Sequence, residues 1–441
     1  MLLRTYVDLT SEHRNEMIRR SRHLINLDLF SCKTTQSICN YNFLNLNNPV
    51  VSTVSHPFQR NYSSSYDGVG AGEEKIGDIK EVRPEDKRIF SGIQPTGQIH
   101  LGNYFGAIKQ WVKFQEEKVE GKYGECIYSV VDLHAITMPQ ERDSLEKSTF
   151  ECVATLLACG IDPNKSILFL QSHVALHSQL SWVLGCTTTM PRLGQLPQFK
   201  EKSKTLAEVP LGLFTYPVLQ SADILLYKST HIPIGEDNFQ HVQLAQHTAH
   251  RFNRIYGDTF TMPKAIMETG MWSRLRSLRK PENKMSKSEP DARSRISLME
   301  SPDEIVSKVK KAVTDFTSEV TFDPEKRPGV ANLITIHSLC TGESPEEICS
   351  QAQARGLDTG KYKLVVAEAL VEYLKPIRER LLDLMEDRGY LLSVLQLGAE
   401  KATEIGQPTW DKACYNVGIS PQLSWLSQQK RKVKKSVSSA T

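Results

Sequence analysis

The sequence predicts an α/β protein: a Rossmann-like parallel-sheet domain followed by a C-terminal α-helical domain. Three observations carry this expectation. Between residues 87 and 300, short β-rich runs alternate with segments whose apolar residues recur at helical spacing. Beyond about residue 330 the strand signals stop, and "KYKLVVAEALVEYLKPIRERLLDLME" (361–386) is strongly helical. The chain has 441 residues, enough for two or three domains with a sizeable core.

Residues 1–65 stand apart from this pattern. They hold seven basic residues (Arg4, Arg14, Arg19, Arg20, Arg22, Lys33, Arg60) against four acidic ones (Asp8, Glu12, Glu16, Asp28). "FQRNYSSS" (58–65) has the character of a presequence cleavage region. The composition fits an organellar transit peptide, and a disordered extension would also carry it. It does not separate mitochondrion from chloroplast. Residues 66–86 read as a Gly/Glu/Lys linker.

The sheet domain is expected over 87–300. "RIFSGI" is a short β-rich run, broken by Gln94-Pro95-Thr96-Gly97. From His100 onward Leu101, Tyr104, Phe105, Ile108, Trp111 and Val112 follow helical spacing. "ECIYSVVDLHAI" (125–136) predicts a second buried strand, ending in Asp132 and His134. A helix over 144–162 and a third strand, "SILFLQS" (166–172), complete the βαβ pattern. Ligands of such sheets bind beyond the carboxyl ends of the strands. Gly92, Gln94, His134 and Ser172 fall there.

A helical insertion fills 174–227, and "STHIPIGEDNFQHVQLAQHTAHRFN" (229–253) reads as strand, turn and helix. "SPDEIVSKVKKAVTD" (301–315) opens with Ser301 as an N-cap and Pro302 in the first turn. The helical domain is assigned to 301–425. A basic tail over 426–441 carries "QQKRKVKK", most simply a disordered run, with phosphate-backbone binding as the alternative.

Composition narrows the function. The net charge is +3, with 39% hydrophobic and 24% charged residues, an ordinary soluble balance. No apolar stretch approaches the roughly 20 residues of a membrane span, so no membrane partner is expected. The nine cysteines form no CxxC and no finger-like Cys/His spacing, so no protein-held metal is expected. Their odd number and scatter suit a reducing compartment.

Two stretches carry chemistry. "GQIHLGNYFGA" (97–107) places Gly102 and Asn103 at a helix start directly after a strand, where free backbone N–H groups favour phosphate. Gly102 allows close approach of a base or ribose, and His100 and Asn103 can donate hydrogen bonds. A structural turn would use the same residues. "NKMSKSEPDARSRISL" (283–298) interleaves Lys284 and Lys287 with Ser286 and Ser288, and Pro290 argues against a continuous helix. It reads as a mobile cationic loop. A solvated charge run is the bland alternative. A lid over a triphosphate is the sharper reading, because charge developing on departing pyrophosphate would then be neutralised in the transition state.

Together the two stretches resemble the HIGH and KMSKS signatures of class I aminoacyl-tRNA synthetases. KMSKS is complete at 284–288, and HIGH appears as His100-Leu101-Gly102-Asn103. "FSGIQPTG", "DLHAIT", "QFKEKS", "TYPVLQSADILLY", "PIGEDNFQH" and "AVTDF" resemble the tryptophanyl-tRNA synthetases of bacteria and organelles, over about 88–420. The resemblance implies a homodimer that joins L-tryptophan to tRNA(Trp) with ATP as substrate. The sheet domain would bind ATP and tryptophan, and the helical domain would meet the anticodon. Mg²⁺ would be held mainly by ATP.

The resemblance also implies residue roles. Lys284, Lys287, His100 and Asn103 would act in catalysis. Gln94, Gly102, Asn103, Gly235, Glu236, Asp237, Leu275 and the loop residues Lys284, Met285, Ser286, Lys287 and Ser288 would bind ATP. Lys202, with Lys200, would add charge near the triphosphate, although exposed helix lysines look the same. Asp223 would accept the indole N–H, a donor-only group. Tyr216 would hold the α-amino group with Asn238, where the family has Gln, and Gln220, Phe90, Gly92 and His134 would line the same pocket. Activation of tyrosine and a tRNA-binding protein without catalysis remain the alternatives. Intact Lys284, Lys287, Gly102 and Asp223 argue against loss of catalysis.

Overall fold

The computed structural model describes residues 82–204, 208–235, 238–267, 270, 275–287 and 289–420, with the side chains of 198, 201 and 202 outside that set. The expectations for the transit peptide, most of the linker, Glu236, Asp237, Ser288, the Lys202 side chain and the basic tail lie outside it.

The chain enters the sheet at β1 (Arg88–Ile93). A helical stretch then begins as α1 (Leu101–Asn103), passes through a π-helical turn at Tyr104–Ile108 and continues as α2 (Lys109–Val119). β2 (Glu125–Val130), α3 (Asp132–Ala135), α4 (Arg142–Ala158) and β3 (Ile167–Leu170) follow. Helices α5 (Leu176–Gly185), α6 (Met190–Gly194), α7 (Pro197–Ser203) and α8 (Leu211–Leu226) form the insertion. β4 (His231–Pro233), α9 (Phe239–Tyr256) and β5 (Lys264–Ile266) close the sheet.

All five strands are parallel, in the order β3-β2-β1-β4-β5. The chain builds outward from β1 on one side and then resumes on the other at β4. The topological switch point therefore lies between β1 and β4, and a crevice at their carboxyl ends is the natural ligand position. Alternation along the strands sends Ile89, Tyr128 and Leu168 into one core and Phe90, Ile127 and Phe169 into the other.

Two strands end earlier than the sequence predicts. β2 stops at Val130 because Asp132 turns the chain: its Oδ1 accepts from the Leu133 and Ser172 amides, both at 3.0 Å. His134 therefore sits on a helical turn rather than a strand. β3 stops at Leu170, and Gln171–His173 form a 3₁₀ turn. β5 carries no signal in the sequence, since three residues are too few to display alternation.

The remaining described helices are α10 (Pro302–Lys310), α11 (Pro328–Thr341), α12 (Pro345–Ala354), α13 (Thr359–Glu386) and α14 (Arg388–Val417). Ser301 caps α10 as expected, with Glu304 completing a capping box. α13 packs on α4 and α10, and α14 packs along β3 and against α5. The α14–β3 approach is close enough that a Cβ on Gly398 would lie 1.8 Å from the Leu168 carbonyl oxygen. A cavity of about 570 Å³ opens at the amino-terminal edge of the strands, lined by Arg88, Glu125 and Ile167 among others, the end opposite the motif residues.

Candidate active site

The two signature stretches are stitched together. His100 and Ser297 form an antiparallel bridge, the Leu101 amide donates to the Ile296 carbonyl at 3.0 Å, and the Leu298 amide donates to the Ile99 carbonyl at 3.1 Å. The start of the loop is tied to the segment before it: Arg276 and Lys284 form a second bridge, and the Met285 amide donates to the Leu275 carbonyl at 3.2 Å. Met285 is buried, with its Cβ 3.7 Å from where a Cβ on Gly102 would stand. Lys287 reaches back to β1, its Nζ donating to the Gln94 carbonyl at 3.4 Å.

The turn at His100 differs from the sequence expectation in one respect. Its backbone N–H groups are not free for phosphate. Leu101 donates to Ile296, Gly102 donates to His100 Nδ1 at 3.1 Å, and Asn103 donates to the His100 carbonyl at 2.9 Å. His100 is the N-cap of α1, and Asn103 Oδ1 accepts from the His100 amide in return. Donors for an anion at this turn are therefore side chains: His100 Nε2, Asn103 Nδ2 and the loop lysines. Burial lowers the His100 pKa to about 3, helped by the charges of Lys287, Arg295 and Lys284. The ring is neutral near pH 7 and donates without adding charge. Burial also lowers the pKa of Lys287, with the Cys152 thiol acting in the opposite direction.

The second half of the site is one face of α8. Tyr216, Gln220 and Asp223 are spaced four and three residues apart and so share that face. Asp223 is 1% exposed. Its Oδ1 accepts from Gln171 Nε2 at 2.8 Å and meets His177 Nδ1 at 2.6 Å, and its Oδ2 meets His134 Nε2 at 2.8 Å. Burial acts to raise its pKa, but the hydrogen bonds it accepts from His134 and His177 outweigh burial and hold the carboxyl well below the usual range. Asp223 is thus a buried, ionised acceptor rather than a helix-surface acid.

Tyr216 stands edge-on to His134, with ring centroids 6.1 Å apart, and its hydroxyl lies 3.3 Å from His241 Nε2. Burial raises the Tyr216 pKa to about 12. Phe90 is buried and stacks on Tyr227 at 5.7 Å. A side chain at Gly92 would place its Cβ 2.9 Å from Val131 Cγ1. Gln220 and Asn238 are half-buried, Gly235 and Lys200 are exposed, and Asn238 stands at the N-cap position of α9 without a side-chain cap bond, its amide donating to the Gly235 carbonyl at 3.0 Å.

Three residues of the Asp223 network escaped the sequence reading: Gln171, His177 and Tyr227. His177 had a visible signal. It falls on the apolar stripe of α5 with Leu180 and Leu184, a core position that an unpaired polar ring would not occupy at low cost. Among the described residues, no group of three or more His, Cys, Asp or Glu side chains could hold a metal ion, and no helix is long and apolar enough to cross a membrane.

Comparison with known proteins matches this arrangement to one family. Residues 83–375 match the model for tRNA synthetases class I (W and Y). The tryptophan–tRNA ligase of Caldanaerobacter subterraneus is 44% identical over 334 residues, covering 76% of this chain and 98% of the relative. That of Wolinella succinogenes is 46% identical over 334 residues, covering 76% and 99%. The crystal structure of tryptophanyl-tRNA synthetase from Campylobacter jejuni complexed with ADP and tryptophan superposes with a TM-score of 0.66 at 33% identity, covering 75% of this chain and 99% of that one.

Proposed function

The chain belongs to the class I tRNA synthetases (W and Y), among their tryptophan–tRNA ligases, and from that premise we propose that it activates L-tryptophan with ATP and charges tRNA(Trp) for protein synthesis inside an organelle. The observation that carries the chemistry is the antiparallel bridge between His100 and Ser297, which ties the His100 turn to the segment that follows the lysine loop, with Lys287 reaching back to the Gln94 carbonyl at 3.4 Å.

The tryptophan carboxylate attacks the α-phosphorus of ATP, the bond to the bridging oxygen breaks, and pyrophosphate leaves. The nucleophile is already ionised, so no general base is needed. Catalysis is positioning and electrostatics. Lys284 and Lys287 meet charge developing on the leaving group, and neutral His100 and Asn103 donate to phosphate oxygens. Gln94 and Gly235 follow β1 and β4 at the switch point, a position that suits ATP. The chain's own residues would leave Mg²⁺ to the phosphates of ATP and to water. The ring N–H of tryptophan donates to Asp223, and Tyr216 with Asn238 faces the amino group. The adenylate is then attacked by the 3′ end of the tRNA, releasing AMP.

The organellar setting is supported by the basic, acid-poor composition of residues 1–65, ahead of a family match that begins at residue 83. Homodimer formation is supported by large apolar side chains left open on neighbouring helices: Trp182 on α5, Met190 on α6 and Leu211 on α8 are each more than 70% exposed. The helices after residue 301 would meet the anticodon.

Tryptophan-dependent ATP–pyrophosphate exchange tests the activity, with tyrosine as the control. Exchange with neither amino acid would overturn the catalytic proposal. A fusion of residues 1–65 to a fluorescent protein tests the setting, and diffuse fluorescence outside organelles would overturn that part.

A further inference from the structure

The two oxygens of Asp223 are held unequally. Oδ1 is met by Gln171 Nε2 and by His177 Nδ1, which occupies its acceptor directions. Oδ2 is met by His134 Nε2 among the described residues, so one acceptor direction there is left for an outside donor. Behind this pair lies a further contact: His177 Nε2 is 2.7 Å from the Tyr227 hydroxyl. His177 and Tyr227 are both fully buried.

We propose that His177, backed by Tyr227, is a positioning residue for substrate selection, which pins Oδ1 of Asp223 so that Oδ2 presents its open lone pair to the indole N–H. The inference rests on the proposed tryptophan pocket. The donors run in one direction. The Nδ1–H of His177 donates to the carboxylate, its Nε2 accepts the Tyr227 O–H, and hydrogen bonds aligned in this sense polarise one another. Packing fixes the rings that make the chain. His177 stacks on Phe169 at 5.7 Å, and Tyr227 lies between Phe90 at 5.7 Å and Phe169 at 6.0 Å. Without the second donor on Oδ1 the carboxylate can swing, and the reading oxygen leaves the line of the ring N–H. A site built to pair a buried polar group discriminates strongly only while that group is held in place.

The test compares tryptophan with 3-benzothienylalanine, in which sulfur replaces the ring N–H, by ATP–pyrophosphate exchange. His177→Leu is expected to lower kcat/KM for tryptophan on the order of tenfold or more, through KM for tryptophan, with KM for ATP unchanged. The sulfur analogue should lose far less, so the preference for tryptophan narrows. His177→Asn keeps a donor near the Nδ1 position and should restore most of the preference. Tyr227→Phe, which removes a single oxygen, should narrow it severalfold, and it serves as the test if the leucine variant does not fold. Equal losses for both amino acids, or an unchanged preference in Tyr227→Phe, would overturn the positioning role. Wild-type enzyme that does not prefer tryptophan over the analogue would instead overturn the pocket itself, and this inference with it.

Discussion

His100 and Ser297 face one another across an antiparallel bridge, and this pairing makes one unit of the turn after β1 and the segment after the lysine loop. The flanking bonds, Leu101 to Ile296 and Leu298 to Ile99, are backbone contacts and so do not depend on side-chain rotamers. A charged loop needs such an anchor. The backbone that carries its lysines cannot be buried without partners.

Gly102→Ala tests that anchor from the helix side. An added Cβ would stand 2.9 Å from Cε1 of His100 and 3.1 Å from its Nδ1, and the ring is buried and cannot swing clear. The cap from Nδ1 to the Gly102 amide would be lost, at about 1 kcal/mol of stability. Displacement of a donor from the phosphate site should lower the exchange rate by roughly a hundredfold. Chemical denaturation and exchange kinetics on the same preparation separate the two effects. Wild-type exchange would show that His100 has no place in the phosphate site.

Lys287→Ala should separate binding from chemistry. The Lys287 Nζ lies 3.4 Å from the Gln94 carbonyl, at the carboxyl end of β1. An amine there that strengthens its contacts only as charge builds on pyrophosphate will affect kcat more than KM. The expected loss in kcat is on the order of a hundredfold, with KM for tryptophan within about threefold of wild type. A change confined to KM for ATP would make Lys287 a ground-state binder.

What was legible in the sequence follows from where the chemistry is written. The loop lysines and the His100 turn are local strings, and chemistry fixes several consecutive residues in each. The shared face of Tyr216, Gln220 and Asp223 on α8 was legible for the same reason, since the three lie within two helical turns. The hydrogen-bond partners of Asp223 come from three places, α3, the turn after β3 and α5, and Tyr227 at the end of α8 joins through His177. No periodicity links His134, Gln171 and His177 to Asp223, because only tertiary packing brings them together. The Gly102 amide was misread for a smaller reason. Its use depends on the orientation of the His100 ring, which a string of letters does not contain. The short strand β5 was missed because "KAI" is indistinguishable from loop until β4 is beside it.

Gly398→Ala should be the most damaging conservative change away from the site. Its new Cβ would fall 1.8 Å from the Leu168 carbonyl oxygen, a backbone atom of β3 that cannot yield alone. α14 would have to lift from the sheet, exposing contacts it shares with β3 and α5. Alanine favours a helix by about 1 kcal/mol over glycine, and overpacking costs about 1–3 kcal/mol, with a 1.8 Å approach to a backbone atom at the upper end. Net destabilisation is therefore expected, read as a lower denaturant midpoint. A raised midpoint would mean that α14 does not sit so tightly on β3.

Acid should weaken the fold through His100. Burial, with the charges of Lys287, Arg295 and Lys284, lowers its pKa from 6.5 to about 3. Between those values the unfolded chain binds a proton on this ring and the folded chain does not. Stability is therefore full above about pH 6.5 and declines as the pH falls toward 3. By pH 5 the loss from this group is roughly 2 kcal/mol. His100→Asn keeps an acceptor for the Gly102 amide and removes the titration. The fall in unfolding free energy between about pH 7.5 and pH 5 should then be smaller in the variant by that amount. His231 and His337, whose pKa values burial also lowers, are present in both proteins and cancel in the comparison. An identical fall in the two proteins would place the His100 pKa near its ordinary value and would remove burial as a control on its charge.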